Sequence, residues 1–194
     1  MPRVPAVRRD DLDDDARAVY DSIAETRGPE FTRQGPFGVL LHSPKIAGRA
    51  AHLGSYVRYE GPMPARHRHL LAMIVARELD CQYEFTAHAV LARQRGIPAE
   101  AVSAIGRGEV PAGLPEVEAA LVAFVRQLVI DHRIDEPIFA ALQDHVGLRG
   151  LTDVVGAVGY FTFAGHVLNA FEVEVREEQS PELPPRPGVR PGGT

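Results

Sequence analysis

Apolar residues recur at three- and four-residue intervals along almost the whole chain, in runs that stop at proline or glycine, and this pattern confines the fold to packed helices. No stretch alternates apolar and polar residues between hairpin turns, and no unit of roughly 20–50 residues repeats, so sheets and solenoids are set aside. The expected fold is an all-α bundle of about eight helices.

The punctuation places each helix. Between Asp10 and Thr26, Leu12, Ala16, Val19, Tyr20 and Ile23 share a face, with Asp10 and Asp11 as candidate caps. A Gly/Pro-rich loop and a short apolar run, Phe37 to Leu41, lead to Ser43 and Pro44, a cap followed by proline at the first helical position. The next helix runs through Ile46, Leu53 and Val57 to Gly61-Pro62. Then come Pro64 to Leu79 and, after a possible cap at Asp80, Cys81 to Arg95, which stops at Gly96 in the place of a left-handed cap residue. Pro98 to Ile105, Pro115 to His132, Asp135 to Val146 and Leu151 to Phe171 complete the set. The expected organisation is an arm at 1–9, one domain at 10–175 and a mobile Pro/Gly-rich tail at 176–194, which has too little apolar surface to fold.

A chain of 194 residues can bury roughly 70% of its unfolded surface and needs no disulfide or metal to hold a core. One cysteine excludes an intrachain disulfide and Cys-rich metal clusters. A net charge of −5 offers no positive field for nucleic acid or anionic lipid, so a small molecule or another protein is the expected partner. The N-terminal residues lack the apolar run of a secretory signal, which points to a cytoplasmic protein. Leu151 to Phe171 is long and apolar, but Asp153, His166 and Asn169 would be costly in lipid, so it reads as a helix buried in a core or a subunit interface.

Reactive side chains concentrate on the pair of helices from Pro64 to Arg95. Cys81, Glu84 and His88 are spaced i, i+3 and i+7 and share one face. Glu84 can hydrogen-bond His88, raise its pKa and fix its tautomer, making a proton donor and acceptor. The alternative is an exposed ion pair with Cys81 as a small core residue.

The run Cys81-Gln82-Tyr83-Glu84-Phe85-Thr86-Ala87-His88, closed by Arg95-Gly96-Ile97-Pro98, resembles the carboxymuconolactone decarboxylase family, in its branch with Tyr-Glu-Trp before a histidine. Leu41-His42-Ser43-Pro44, Gly159-Tyr160-Phe161 and Leu168-Asn169-Ala170-Phe171-Glu172-Val173 match that branch too, so the resemblance spans about Phe37 to Glu174. It implies an alkylhydroperoxidase-like all-α fold, trimers or hexamers with a dimer as the alternative, and no cofactor. It implies either decarboxylases or, with a Cys-x-x-Cys pair, peroxidases. The family's relay glutamate stands nineteen residues before the motif histidine, where this chain has His69. Cys81 matches the first redox cysteine, while Glu84 replaces the second and leaves no resolving thiol.

The resemblance therefore implies a cofactor-independent enzyme working by proton transfer or decarboxylation on a small carboxylated or lactone compound. His88, Glu84, His69 and Cys81 form its expected catalytic set, with Tyr83, His42 and His166 as substrate contacts. His42 serves equally as a brace for its loop, and His166 as a core histidine. Two further readings stand beside it: a one-Cys peroxidase through Cys81, and a non-catalytic ligand-binding or assembly module. His69, His88 and Glu84 could make a two-histidine, one-carboxylate metal set, which the resemblance does not support. Gly156, Gly159 and Gly165 suit either close approach of a second subunit or packing within the chain.

Overall fold

The computed structural model describes residues 3–186. Eight α-helices follow in order, with no strand among the described residues: α1 (Asp14–Arg27), α2 (Gly35–Leu40), α3 (Pro44–Ser55), α4 (Ala65–Glu78), α5 (Gln82–Gln94), α6 (Ala99–Gly106), α7 (Glu116–Asp131) and α8 (Glu136–Ala170). Asp13, rather than Asp10 or Asp11, caps α1, its side chain accepting from Ala16 N at 2.8 Å. The earlier pair lies in a 3-10 turn at Arg9–Asp11. Ser43 occupies the cap of α3, but its side chain makes no cap bond; its carbonyl accepts from Ile46 and Ala47 instead. The Phe37 to Leu41 run is largely α2 itself. The two segments expected from Asp135 to Phe171 are joined as α8 across a break at Gly147, whose φ of 67° favours glycine.

Helix α4 is the axis of the molecule. Every residue from His69 to Arg77 is buried, because α5, α6, α7 and α8 all pack around it. A second, smaller core of Ile23, Phe37, Leu40, Leu41 and Ala47 seals α1, α2 and α3 together. Two polar groups of α8 are engaged within the chain: the Tyr56 hydroxyl donates to Asp153 Oδ1 at 2.9 Å, and Asn169 Nδ2 donates to the Leu79 carbonyl at 2.8 Å. Helix α8 is long and apolar enough to cross a membrane, yet Tyr160, Phe161 and Leu168 are buried in the core.

Two local devices position the site. Between α4 and α5 the chain reverses through Asp80, at φ 52°, with Cys81 N donating to the Ala76 carbonyl at 2.8 Å. The hairpin lays α5 antiparallel to α4. Beyond α3, residues Tyr56–Glu60 form one π-helical turn, closed by Gly61 N donating to the Tyr56 carbonyl at 2.7 Å. Such wide turns re-aim side chains and occur often at functional sites; this one carries Arg58.

Residues 176–186, expected to be mobile, pack against α4 and α5. Arg77 Nη1 donates to the Pro184 carbonyl at 2.7 Å, Arg186 Nη2 to Glu78 Oε2 at 2.7 Å, and Leu183 is buried. The rest of the expected mobile tail lies outside the described residues, as do the first two residues of the arm.

Candidate active site

The α4–α5 hairpin brings His69, Glu84 and His88 together in the interior, each no more than 5% exposed. Burial excludes the exposed ion-pair alternative. His88 stands between the other two, its Nδ1 3.0 Å from His69 Nδ1 and its Nε2 3.4 Å from Glu84 Oε1. Phe161 of α8 meets the His88 ring edge-on, with centroids 5.1 Å apart. His67 points elsewhere, toward Glu118 at 3.8 Å.

Burial pushes the His69 imidazole down to about 3, helped by His88 and by Arg68, Arg58 and Arg95. His88 is lowered as well, because burial outweighs the opposing hydrogen bond and charge of Glu84. This corrects the expectation that Glu84 would raise it: desolvation of the cation is the larger effect in so dry a place. Both imidazoles are therefore neutral at pH 7, and the facing Nδ1 atoms share one proton, with one ring donating and the other accepting.

A cavity of about 200 Å³ opens on this group, lined by Phe37, Arg58, Tyr83, Glu84, His88 and Tyr160 among others. That is below the roughly 300–1,000 Å³ of sites for drug-sized ligands, so its occupant is small. Glu84 Oε1 is buried there, and the 3.4 Å contact with His88 Nε2 is its one polar neighbour, without the alignment of a full hydrogen bond. Arg176 and Gln179 of the C-terminal segment complete the wall. Arg176 lies 5.2 Å over the Phe31 ring, and its Nε donates to the Tyr83 hydroxyl at 3.2 Å. At Gly35, with φ +65°, a Cβ would stand 2.8 Å from that hydroxyl, so glycine is needed for both backbone and space.

Four expected site residues are placed differently. His69 lies behind His88 and does not line the cavity. Cys81 is fully buried outside the cavity wall, and burial, reinforced by Glu84, pushes its thiol up to about 12. His42 is exposed, with Nε2 2.8 Å from the Pro5 carbonyl, and so braces the N-terminal arm. His166 is also exposed, on the outer face of α8. Tyr83 lines the cavity. Arg58, Tyr160 and Arg176 went unassigned, although Tyr160 lay inside a quoted motif. No group of three His, Cys, Asp or Glu side chains is placed to hold a metal ion among the described residues.

Residues 44–126 match the model of the carboxymuconolactone decarboxylase family. No curated protein matches the chain. The fold is similar to that of an uncharacterized peroxidase-related protein from Ralstonia eutropha JMP134, described as an alkylhydroperoxidase AhpD core, at 18% identity over 92% of this chain and 94% of that one, with a TM-score of 0.74. It is similar to a peroxidase-related protein from Silicibacter sp. TM1040, at 17% identity over 90% and 93%, TM-score 0.67. It is also similar to the debrominase Bmp8 in complex with 2,3,4-tribromopyrrole, at 15% identity over 90% and 91%, TM-score 0.70. The segment from residue 44 to 126, which matches the carboxymuconolactone decarboxylase family model, carries His69, Glu84 and His88, and the bundle around it has the alkylhydroperoxidase-like fold.

Proposed function

We propose that the cavity is the active site of a cofactor-independent acid–base enzyme, decarboxylase-like in its chemistry, acting on a small carboxylated or lactone compound. The observation that supports this most directly is the buried Glu84–His88 pair, 3.4 Å apart, with both residues lining one small cavity. In a decarboxylation the C–C bond to the carboxylate breaks, CO₂ leaves, and the electron pair remains as an enolate that needs one proton on carbon. In this reading Glu84 and His88 deliver that proton and recover one from solvent. His69 acts through His88: its Nδ1 contact fixes the tautomer and ring orientation, a positioning role. The same groups serve proton abstraction next to a carbonyl, hence isomerisation of a lactone.

The peroxidase reading needs an accessible thiolate. Cys81 offers a buried thiol held well above neutral pH, so the geometry weighs against it. The halogenated pyrrole bound by the debrominase is a small planar compound, in keeping with a cavity of this size. With the proposed activity go a cytoplasmic location and a homo-oligomeric assembly.

The test is solvent-deuterium exchange and CO₂ release from a panel of small lactone and keto acids, with carboxymuconolactone included. His88→Ala or Glu84→Gln should lower turnover by about 10²–10⁴ in protein of unchanged helicity. Undiminished turnover in either folded variant would remove the assignment.

A further inference from the structure

Arg58 stands out in the cavity wall because its side chain forms no ion pair or well-aligned hydrogen bond with any described residue. Its Nε is buried without an acceptor, as are those of Arg27 and Arg68 nearby. The guanidinium lies 5.8 Å over the Phe161 ring and lines the cavity on which Glu84 and His88 also open. Arg58 and Glu84 form no ion pair within 4 Å among the described residues, so the carboxylate acts on the guanidinium only from a distance. Burial pulls the Arg58 pKa down, but Tyr160 and Glu84 more than offset it, and the group stays cationic.

Tyr160 ties this cation to a second one. Tyr160 acts on the charges of both Arg27 and Arg58. The cluster is tightly built: a Cβ at Gly54 would collide with the Tyr160 hydroxyl and stand 2.7 Å from Arg27 Nη2. Arg27 is anchored by Nη2 donating to the Ala51 carbonyl at 2.8 Å and by its stack 4.7 Å over Phe37. Tyr160, packed beside Arg27 at Gly54, thus stands with Arg58 in the cavity wall. Arg27 and Arg68 each act on Arg58 as like charges, and Glu84 is the one carboxylate that acts on it in return. A half-buried cation whose Nε is shut away from water without an acceptor is costly unless a partner arrives.

We infer that Arg58, supported by Tyr160 and Arg27, is the anchor for the carboxylate of a small planar monocarboxylate, whose body lies between Phe37, Tyr160 and Tyr83 with its reactive carbon toward Glu84 and His88. The walls suit a flat apolar body, and the planar fork of an arginine suits a carboxylate. The chemistry follows from the placement. A carboxylate held by a guanidinium is stabilised as an anion and keeps its C–C bond. A compound with one carboxylate is therefore processed by proton transfer: the Glu84–His88 pair removes a proton from the neighbouring carbon, the electron pair moves into the conjugated carbonyl, and the proton returns to another carbon. Loss of CO₂ would require a second carboxylate placed against the apolar wall.

This rests on the cavity being the active site, so binding is separated from turnover. Benzoate is the probe, and benzamide its neutral isostere, in calorimetric titration of the full-length protein at low salt. Benzoate should bind with one site per chain, at least tenfold tighter than benzamide. Arg58→Gln should weaken benzoate at least tenfold without changing its binding of benzamide, Arg58→Lys should fall between, and Tyr160→Phe should weaken benzoate several-fold. Glu84→Gln should keep or tighten benzoate binding, because it removes a like charge, while abolishing exchange. Equal affinity for the two probes, no benzoate binding, or an unchanged affinity in folded Arg58→Gln would overturn the anchor. Loss of exchange in Glu84→Gln alongside any of these would leave the acid–base site standing without it.

Discussion

His69 is a buried imidazole whose own chemistry sets how the protein responds to acid. Its folded pKa, about 3, lies below the ordinary 6.5, so between those values the unfolded chain binds a proton that the folded chain refuses. Stability is therefore complete above about pH 6.5 and declines as pH falls toward 3, by at most about 1.4 kcal/mol per pH unit for each such group. His88 and His67 are lowered too and act in the same direction. Urea midpoints taken from pH 7 to pH 4 should fall, and His69→Gln, which keeps a partner for His88, should flatten that slope by close to one proton. An unchanged slope would show that His69 is already charged in the fold. At this scale the sequence is legible where chemistry is local: Glu84 and His88 are one helical turn apart, so their pairing follows from numbering alone. Whether burial or the carboxylate governs the histidine does not, because dryness is a property of the packed molecule.

Among the elements, the C-terminal segment departs most from expectation. Its prolines preclude a helix, but an extended proline-rich strand has no internal hydrogen bonds, and its carbonyls are free for other donors. Arg77 of α4, tied to α6 by a bond of 2.8 Å to the Gly106 carbonyl, takes that of Pro184. Arg93 pairs with Glu182, whose backbone N–H donates to Thr86 Oγ1 at 3.1 Å, and Leu183 fills the space between. Low apolar content misled because anchorage here comes from arginines on other helices. The exposed pairs add little each, while the Leu183 burial contributes about 2 kcal/mol. Ending the chain before Arg176 should thus lower Tm by about 4–8 °C and expose the cavity mouth, seen as faster proteolysis within α5. A truncated protein that melts with the full chain would show that the segment only rests on the bundle. Helix positions themselves were legible from periodicity and stops. The π-turn that aims Arg58 was not, since the three residues that meet around Tyr160 come from α1, from the turn after α3 and from α8, and no spacing rule links them.

The whole molecule leaves one face of α8 without a partner in the chain. Leu148, Thr152, Val155, Gly156, Gly159, Phe163 and His166 are exposed in a stripe at helical spacing, three of them large and apolar. The glycines of this helix divide into two groups. A Cβ at Gly165 would stand 2.8 Å from Leu79 Cδ1, so that glycine serves packing within the chain, whereas Gly156 and Gly159 meet nothing within 4 Å. Glycine in a helix interior costs about 1 kcal/mol relative to alanine, and here no contact inside the chain offsets it. A second copy of the chain approaching along this stripe would, since small residues let backbones come close and large apolar ones beside them are removed from water. Sedimentation at micromolar concentration should therefore give a multiple of the 21.1 kDa chain mass. Gly159→Leu is the discriminating change: in the isolated chain the new side chain meets open space, so helicity and the core are kept, while close approach of a second copy is blocked. The variant should sediment as a smaller species with an undisturbed circular dichroism spectrum. A wild-type protein that sediments as a monomer, or a Gly159→Leu variant that keeps the full assembly, would mean that the stripe is not where the copies meet.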